Sequence, residues 1–303
     1  MYATVVSLQL KLGEIRSISI NRAFIMSSKL SEALTIAVYV VSGVAVIGNL
    51  LVLVVFAATK QLRIKYYGFV LSLAIADIVG PVIFIVFKSN RSPIVAALFR
   101  GSFFVAQLNV LAVAVNRLMA LSILPPARYD AIVTRGRIVG VCVLFWVISA
   151  VLFVPTAYHD DTPAVIRLVR PLATLLILVI TAVVYRVVFH IISRYRPPLA
   201  STPGITEDDE QTKTRVRQTR HLMVTFSVIL VTSLLCWIPN CVANMMIFFS
   251  SSQSIHGQSY NFLIFFRVAL LILVLNSAAN PFIYWWRISE VRAGLRTVLL
   301  PGQ

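Results

Sequence analysis

Apolar residues fill this chain in seven long blocks, near 33–59, 67–87, 93–121, 138–157, 168–192, 222–249 and 261–286. Each is long enough to cross a bilayer as a helix, which takes about 20 residues. Short connectors between the blocks hold most of the charge. The pattern predicts an all-α membrane protein with a seven-helix transmembrane bundle. After the seventh block, Ile288, Val291, Leu295 and Val298 repeat at helical spacing, with Arg287, Arg292 and Arg296 among them. This predicts a short amphipathic helix lying on the membrane surface. The expected division is an extracellular N-terminal segment at 1–30, a bundle at 31–287 and an interfacial helix with its tail at 288–303.

Inside the blocks a few polar residues stand out, because an unpaired polar group at membrane depth is costly and such groups face the bundle interior. In the seventh block Asn276, Asn280 and Tyr284 recur every four residues, which places them on one helix face beside Ser277. Pro281 has no N–H and crowds the carbonyl of Ser277, so a bend is expected just above Tyr284. The first block carries Asn49, and the second carries the carboxylate Asp77 among small residues that allow close helix approach. The third ends on Asn116-Arg117, the fifth holds Tyr185, and the sixth contains Trp237 two residues before Pro239. Each has a plain structural reading as well: a packed aromatic, a structural kink, or a charge snorkelling to the surface.

Composition narrows the class. With 59% hydrophobic and 13% charged residues and a mean hydropathy of +0.88, the chain is unlike a soluble domain. The net charge of +16 does not indicate nucleic acid, because the basic residues sit in connectors. Lys60, Arg63 and Lys65 follow the first block, and Arg128 and Arg135 follow the third. Arg194, Arg196, Lys213, Arg215, Arg217 and Arg220 follow the fifth, whereas 251–260 has no Lys or Arg. Positive charge thus gathers on the side shared with the C-terminus, which is expected to be cytoplasmic, with the N-terminus outside. Lys11, Arg16, Arg22 and Lys29 pull weakly the other way. The connector 193–221, with Pro197-Pro198, Pro203-Gly204 and Glu207-Asp208-Asp209-Glu210, reads as a mobile loop. Cys142, Cys236 and Cys241 form no disulfide framework or zinc spacing. No catalytic constellation is present, so the expectation is a protein that is not an enzyme.

Taken in order, these residues resemble the rhodopsin-like (class A) family of G-protein-coupled receptors. Asn49, Asp77, Arg117, Trp146, Pro239 and Pro281 match the family's most typical residues in helices one, two, three, four, six and seven. The loop Ala127-Arg128-Tyr129-Asp130-Ala131-Ile132-Val133-Thr134 is similar to the melanocortin, lysophospholipid, cannabinoid and adenosine receptor branch. That branch often lacks the helix-five proline and the extracellular disulfide, as this chain does. The chain also departs from the pattern. The stretch between Asp77 and Arg117 is short, Asn116 replaces an acid, Leu118 an aromatic, Thr219 another acid, and Ala106 a small hydroxyl.

The resemblance implies a receptor in the plasma membrane that converts binding of a small extracellular ligand into activation of a heterotrimeric G protein. Trp237 and Pro239 would lie below the ligand, and Arg117 would turn toward Tyr185 and Tyr284. Asp77, Asn49, Asn276, Ser277 and Asn280 would form a polar relay. No cofactor is implied beyond a sodium ion at Asp77, for which the missing hydroxyl at Ala106 leaves the matter open. Arrestin would use Ser201, Thr202 and Thr206 of the third cytoplasmic connector.

For the ligand, Phe99 stands where amine receptors carry an aspartate, and Val274 where opsins carry lysine. Four arginines fall in the extracellular half: Arg100, Arg167, Arg170 and Arg267. Guanidinium groups bind carboxylate and phosphate in a bidentate way. The expected ligand is therefore a lysophospholipid or carboxylate, held by Arg100 beside Phe99, with Arg170 or Arg267 assisting. Adenosine-like or peptide ligands, and a degenerate receptor that does not signal, remain open. A transporter would call for internal repeats, and none is visible.

Overall fold

A computed structural model describes residues 2–59, 67–87, 92–123, 126–155, 164–194, 207–250 and 260–299. Among them it has nine helices and no strand. They are α1 (Tyr2–Ala58), α2 (Gly68–Phe87), α3 (Pro93–Ser122), α4 (Pro126–Ile132) and α5 (Arg135–Phe153), followed by α6 (Ala164–Arg194), α7 (Glu207–Ser250), α8 (Tyr260–Arg287) and α9 (Ser289–Leu299). Seven of these contain a stretch long and apolar enough to cross a membrane; only α4 and α9 do not.

Two expected boundaries move. Helix α1 runs unbroken from Tyr2 rather than starting near 33. The stretch before 33 contains no proline and one glycine, Gly13, so nothing in it breaks a helix. Helix α7 starts at Glu207, inside the connector read as a mobile loop. The breakers Pro203 and Gly204 lie just before it, and Glu207-Asp208-Asp209-Glu210 place negative charge at a helix N-terminus, where the macrodipole favours it. Ser201, Thr202 and Thr206 lie outside the described residues. The short helix α4, opened by Pro126 at its first position, was not expected from the pattern.

Helix α3 is the axis of the bundle. It packs against α2, α4, α5, α6 and α7, while α1, α2 and α8 close one side and α6, α7 and α8 the other. Close approach requires small residues. A side chain at Gly101 of α3 would collide with Ser149 of α5, and one at Gly294 of α9 with Thr59 at the end of α1. The outer faces are apolar: Val139, Val143, Val147 and Val151 follow one another every four residues along α5 and are 51–66% exposed. A stripe of that kind is costly in water and favourable against lipid. The amphipathic helix expected after the seventh block is α9, which buries Val291 and Gly294 against the bundle.

Candidate functional site

The polar stripe of the seventh block forms as expected. Asn276, Asn280 and Tyr284 are 3%, 1% and 0% exposed along α8. Asn280 Nδ2 donates to Asp77 Oδ2 across a 2.7 Å gap, joining α8 to α2. Ser233 of α7 donates its hydroxyl to Asn276 Oδ1 at 3.3 Å, joining α7 to α8.

Asn49 shows how a local defect specifies a tertiary contact. Pro281 has no N–H to give to the carbonyl four residues earlier, Ser277. Asn49 Nδ2 donates to that carbonyl at 3.0 Å and to Ala45 O of its own helix at 2.9 Å. The neighbouring Gly48 lets α1 come close, since a Cβ there would stand 3.0 Å from the Pro281 ring. One amide thus satisfies a backbone group that the kink leaves bare.

Asp77 is 1% exposed. Its Oδ1, together with Asn49 Oδ1 and Asn280 Oδ1, is buried and meets no donor among the described residues. A carboxylate oxygen and the carboxamide oxygen of the Asn280 bonded to it, both without a partner, are the donor chemistry that a small hard cation takes. The residues present therefore fit a sodium ion without a hydroxyl at the buried Ala106.

Toward the α9 end of the bundle, Arg117 is 2% exposed, and Tyr185 of α6 and Tyr67 at the start of α2 are buried as well, at 5% each. The hydroxyls of Tyr185 and Tyr284 are buried with no partner among the described residues. Asn116 is not idle: its Oδ1 accepts from the Tyr129 hydroxyl at 2.9 Å and ties α3 to α4. Tyr129, fully buried on the unexpected helix α4, is a core residue that the pattern did not single out. The side chain of Thr219 lies outside the described residues.

At the opposite end a cavity of about 340 Å3 opens between α2, α3, α6, α7 and α8. Trp237, Phe99 and Arg100 all form part of its lining. Rings form a chain from α1 to α7. Tyr39 meets Phe84 at 5.3 Å, Phe84 meets Phe99 at 5.7 Å, Phe99 meets Phe103 at 5.2 Å, and Phe103 meets Trp237 at 6.4 Å. The last two pairs are edge-to-face, a favoured geometry for aromatic quadrupoles. Pro239 lies within α7 below this end.

Against this apolar wall the polar groups are few: Arg100, Thr174, Asn240 and Asn244. Arg100 has no hydrogen-bond or ion-pair partner among the described residues. Arg267 is placed elsewhere. It donates to the Ser31 carbonyl at 2.9 Å and to the Thr35 hydroxyl, clamping α8 to α1, and does not line the cavity. Arg170 belongs to α6, but its side chain, like that of Arg167, lies outside the described residues. Asn240 and Asn244 were missed in the sequence. They are one helical turn apart on α7, starting one turn after Trp237, a spacing that could have flagged them.

A seven-helix membrane bundle with a cavity at one end and a buried polar core is the class these features define. The chain belongs to the 7 transmembrane receptor (rhodopsin family), whose pattern it matches over residues 48–284. It is 26% identical to the adenosine receptor A2a of Homo sapiens, covering 91% of this chain and 73% of the relative. It is 24% identical to melanocortin receptor 5 of Bos taurus, covering 95% and 90%, and 24% identical to the adenosine receptor A2b of Homo sapiens, covering 86% and 88%.

Proposed function

We propose that this receptor sits in the plasma membrane with its N-terminus outside, binds a compact anionic ligand and passes the signal to a heterotrimeric G protein at the α9 end. The observation that carries the ligand class is Arg100, the one cation on the cavity wall among the described residues, with no partner among them. A carboxylate or phosphate would supply that partner in bidentate geometry. The size of the cavity selects further. About 340 Å3 is at the small end of ligand pockets, which favours a compact carboxylate with a flat apolar body over a long-chain lysophospholipid. The ring chain from Phe84 to Trp237 would stack on that body, and Trp237 would relay its presence to α7. In the core, Asp77 and its orphaned oxygens would hold a sodium ion in the inactive arrangement. A ligand acts only through its different affinity for the two arrangements.

A second reading has its own observation. Asn240 and Asn244 offer two carboxamides on the cavity wall, groups suited to the edge of a heteroaromatic base. Two of the relatives are adenosine receptors, so a nucleoside-like ligand is the alternative.

The experiment is an agonist screen in membranes with nucleotide exchange as readout, followed by Arg100→Ala, Arg100→Lys and Asn244→Ala. A charge-assisted hydrogen bond is worth about 1.5–3 kcal/mol, so Arg100→Ala is expected to weaken an anionic agonist by about 10- to 150-fold. Arg100→Lys should recover part of that loss. A neutral agonist indifferent to Arg100→Ala and abolished by Asn244→Ala would replace the anionic reading with the nucleoside one. Sodium lowering basal exchange in wild type but not in Asp77→Asn supports the cation site; equal sodium response in both removes it.

A further inference from the structure

A second cavity, of about 350 Å3, lies on the outer flank of the bundle at the α9 end, between α3, α4 and α5. Its wall is apolar, built from residues such as Leu111, Ala112, Val115, Val141 and Phe145. Only two polar side chains reach it. Asn116 lies at its base, buried and bonded to Tyr129, and the exposed Arg137 lies at its mouth.

Arg137 is held there by the fold. Its Nη1 donates to the Ile132 carbonyl at 2.7 Å and to the Ala131 carbonyl at 3.3 Å, at the end of α4, where a helix leaves carbonyls bare. Both bonds use one terminal nitrogen, and Nη2 and Nε have no partner among the described residues. Arg137 lies in the first turn of α5, so the positive end of that helix adds to its charge.

A fixed guanidinium above an apolar slot is complementary to an acid group above a hydrocarbon chain. We propose that this groove binds one anionic phospholipid of the adjacent leaflet, with its phosphate on Arg137 and one acyl chain along Ala112, Val115 and Val141. A choline lipid fits less well, because its head brings a cation against Arg137. The chain would press on the base of the groove at Asn116, next to Arg117, so the lipid would act on the arrangement of α3 against α4. That consequence rests on the receptor reading above; the binding itself does not.

The experiment is native mass spectrometry of the purified receptor in detergent, with equal amounts of phosphatidylglycerol and phosphatidylcholine of the same chains. Wild type is expected to retain one phosphatidylglycerol at least tenfold over phosphatidylcholine. Arg137→Gln, at an exposed position, should bring that preference close to one, and Arg137→Lys should keep part of it. Ala112→Phe, which fills the slot, should lower retention of both lipids. Arg128→Gln, an exposed arginine outside the groove, should change nothing. Equal retention of both lipids by wild type, or an undiminished preference in Arg137→Gln, overturns the proposal. Because retention is read without any G protein, failure of the signalling reading would leave this result unaffected.

Discussion

The two ends of the bundle hold together by different chemistry. Around the cavity, the described contacts from Tyr39 through Phe84, Phe99 and Phe103 to Trp237 are ring against ring. In the core, three directed hydrogen bonds each cross between two helices: Asn49 to the Ser277 carbonyl, Ser233 to Asn276, and Asn280 to Asp77. Ring contacts vary gently with angle and distance, so a cavity wall can adjust to a guest. A buried hydrogen bond is either made or lost, and its loss exposes the full desolvation penalty of both groups. The cavity end is thus suited to reading shape, and the core to having two discrete arrangements. Changes in the core should act on signalling or stability as steps, and changes at the cavity end should act on ligand potency by degrees.

The sharpest test of this contrast is Arg117→Ala. The side chain is fully within the bundle, remote from the cavity wall. Agonist-driven nucleotide exchange is expected to fall at least a hundredfold, with ligand affinity in membranes changed less than threefold. Loss of both together would mean that the two ends are one structural unit.

Next in size is the basal state. Asn116→Asp keeps an acceptor for the Tyr129 hydroxyl and adds a negative charge beside Arg117. A gain of about 1.4 kcal/mol in the inactive arrangement would lower ligand-free exchange tenfold. Tyr129→Phe removes the bond to Asn116 and should raise basal exchange about fivefold, for a bond of about 1 kcal/mol. Equal basal exchange in wild type and Asn116→Asp, at matched surface expression, would show that this neighbourhood does not set the resting balance.

The Pro281 defect gives a double-mutant test on stability. Asn49→Ala leaves the Ser277 carbonyl buried without its donor, at a cost of about 1–3 kcal/mol, read as a lower Tm in detergent. Pro281→Ala returns a backbone N–H to that carbonyl, so Asn49→Ala should cost clearly less in the Pro281→Ala background. Strict additivity of the two would break the pairing inferred here. The smallest effect belongs to the ring chain: Phe84→Leu should lose about 0.5–1.5 kcal/mol and shift agonist potency a few-fold without changing basal exchange.

The seven apolar helices, the amphipathic α9 and the burial of Asn49, Asp77, Asn276 and Asn280 were legible in the sequence, whereas Ser233, which bonds Asn276, was not. Each legible feature follows from something local: a run of apolar residues of bilayer length, a helical period, or a polar group too costly to leave facing lipid. Asn276, Asn280 and Tyr284 could be assigned to one buried face because a four-residue spacing has one meaning on a helix. Which partner each polar group takes depended on the packing of distant segments. The pairing of Asn49 with Ser277 spans 228 positions, and that of Asn280 with Asp77 spans 203. Arg267 looked like a ligand contact at its depth in the seventh block, but the approach of α1 gives it Ser31 and Thr35. Helix α4 and the Tyr129–Asn116 bond were equally hidden, since seven residues carry too little periodicity to announce a helix. The cavity wall of Phe84, Phe103, Asn240 and Asn244 exists only where helices converge, because burial there is a property of the gap between them.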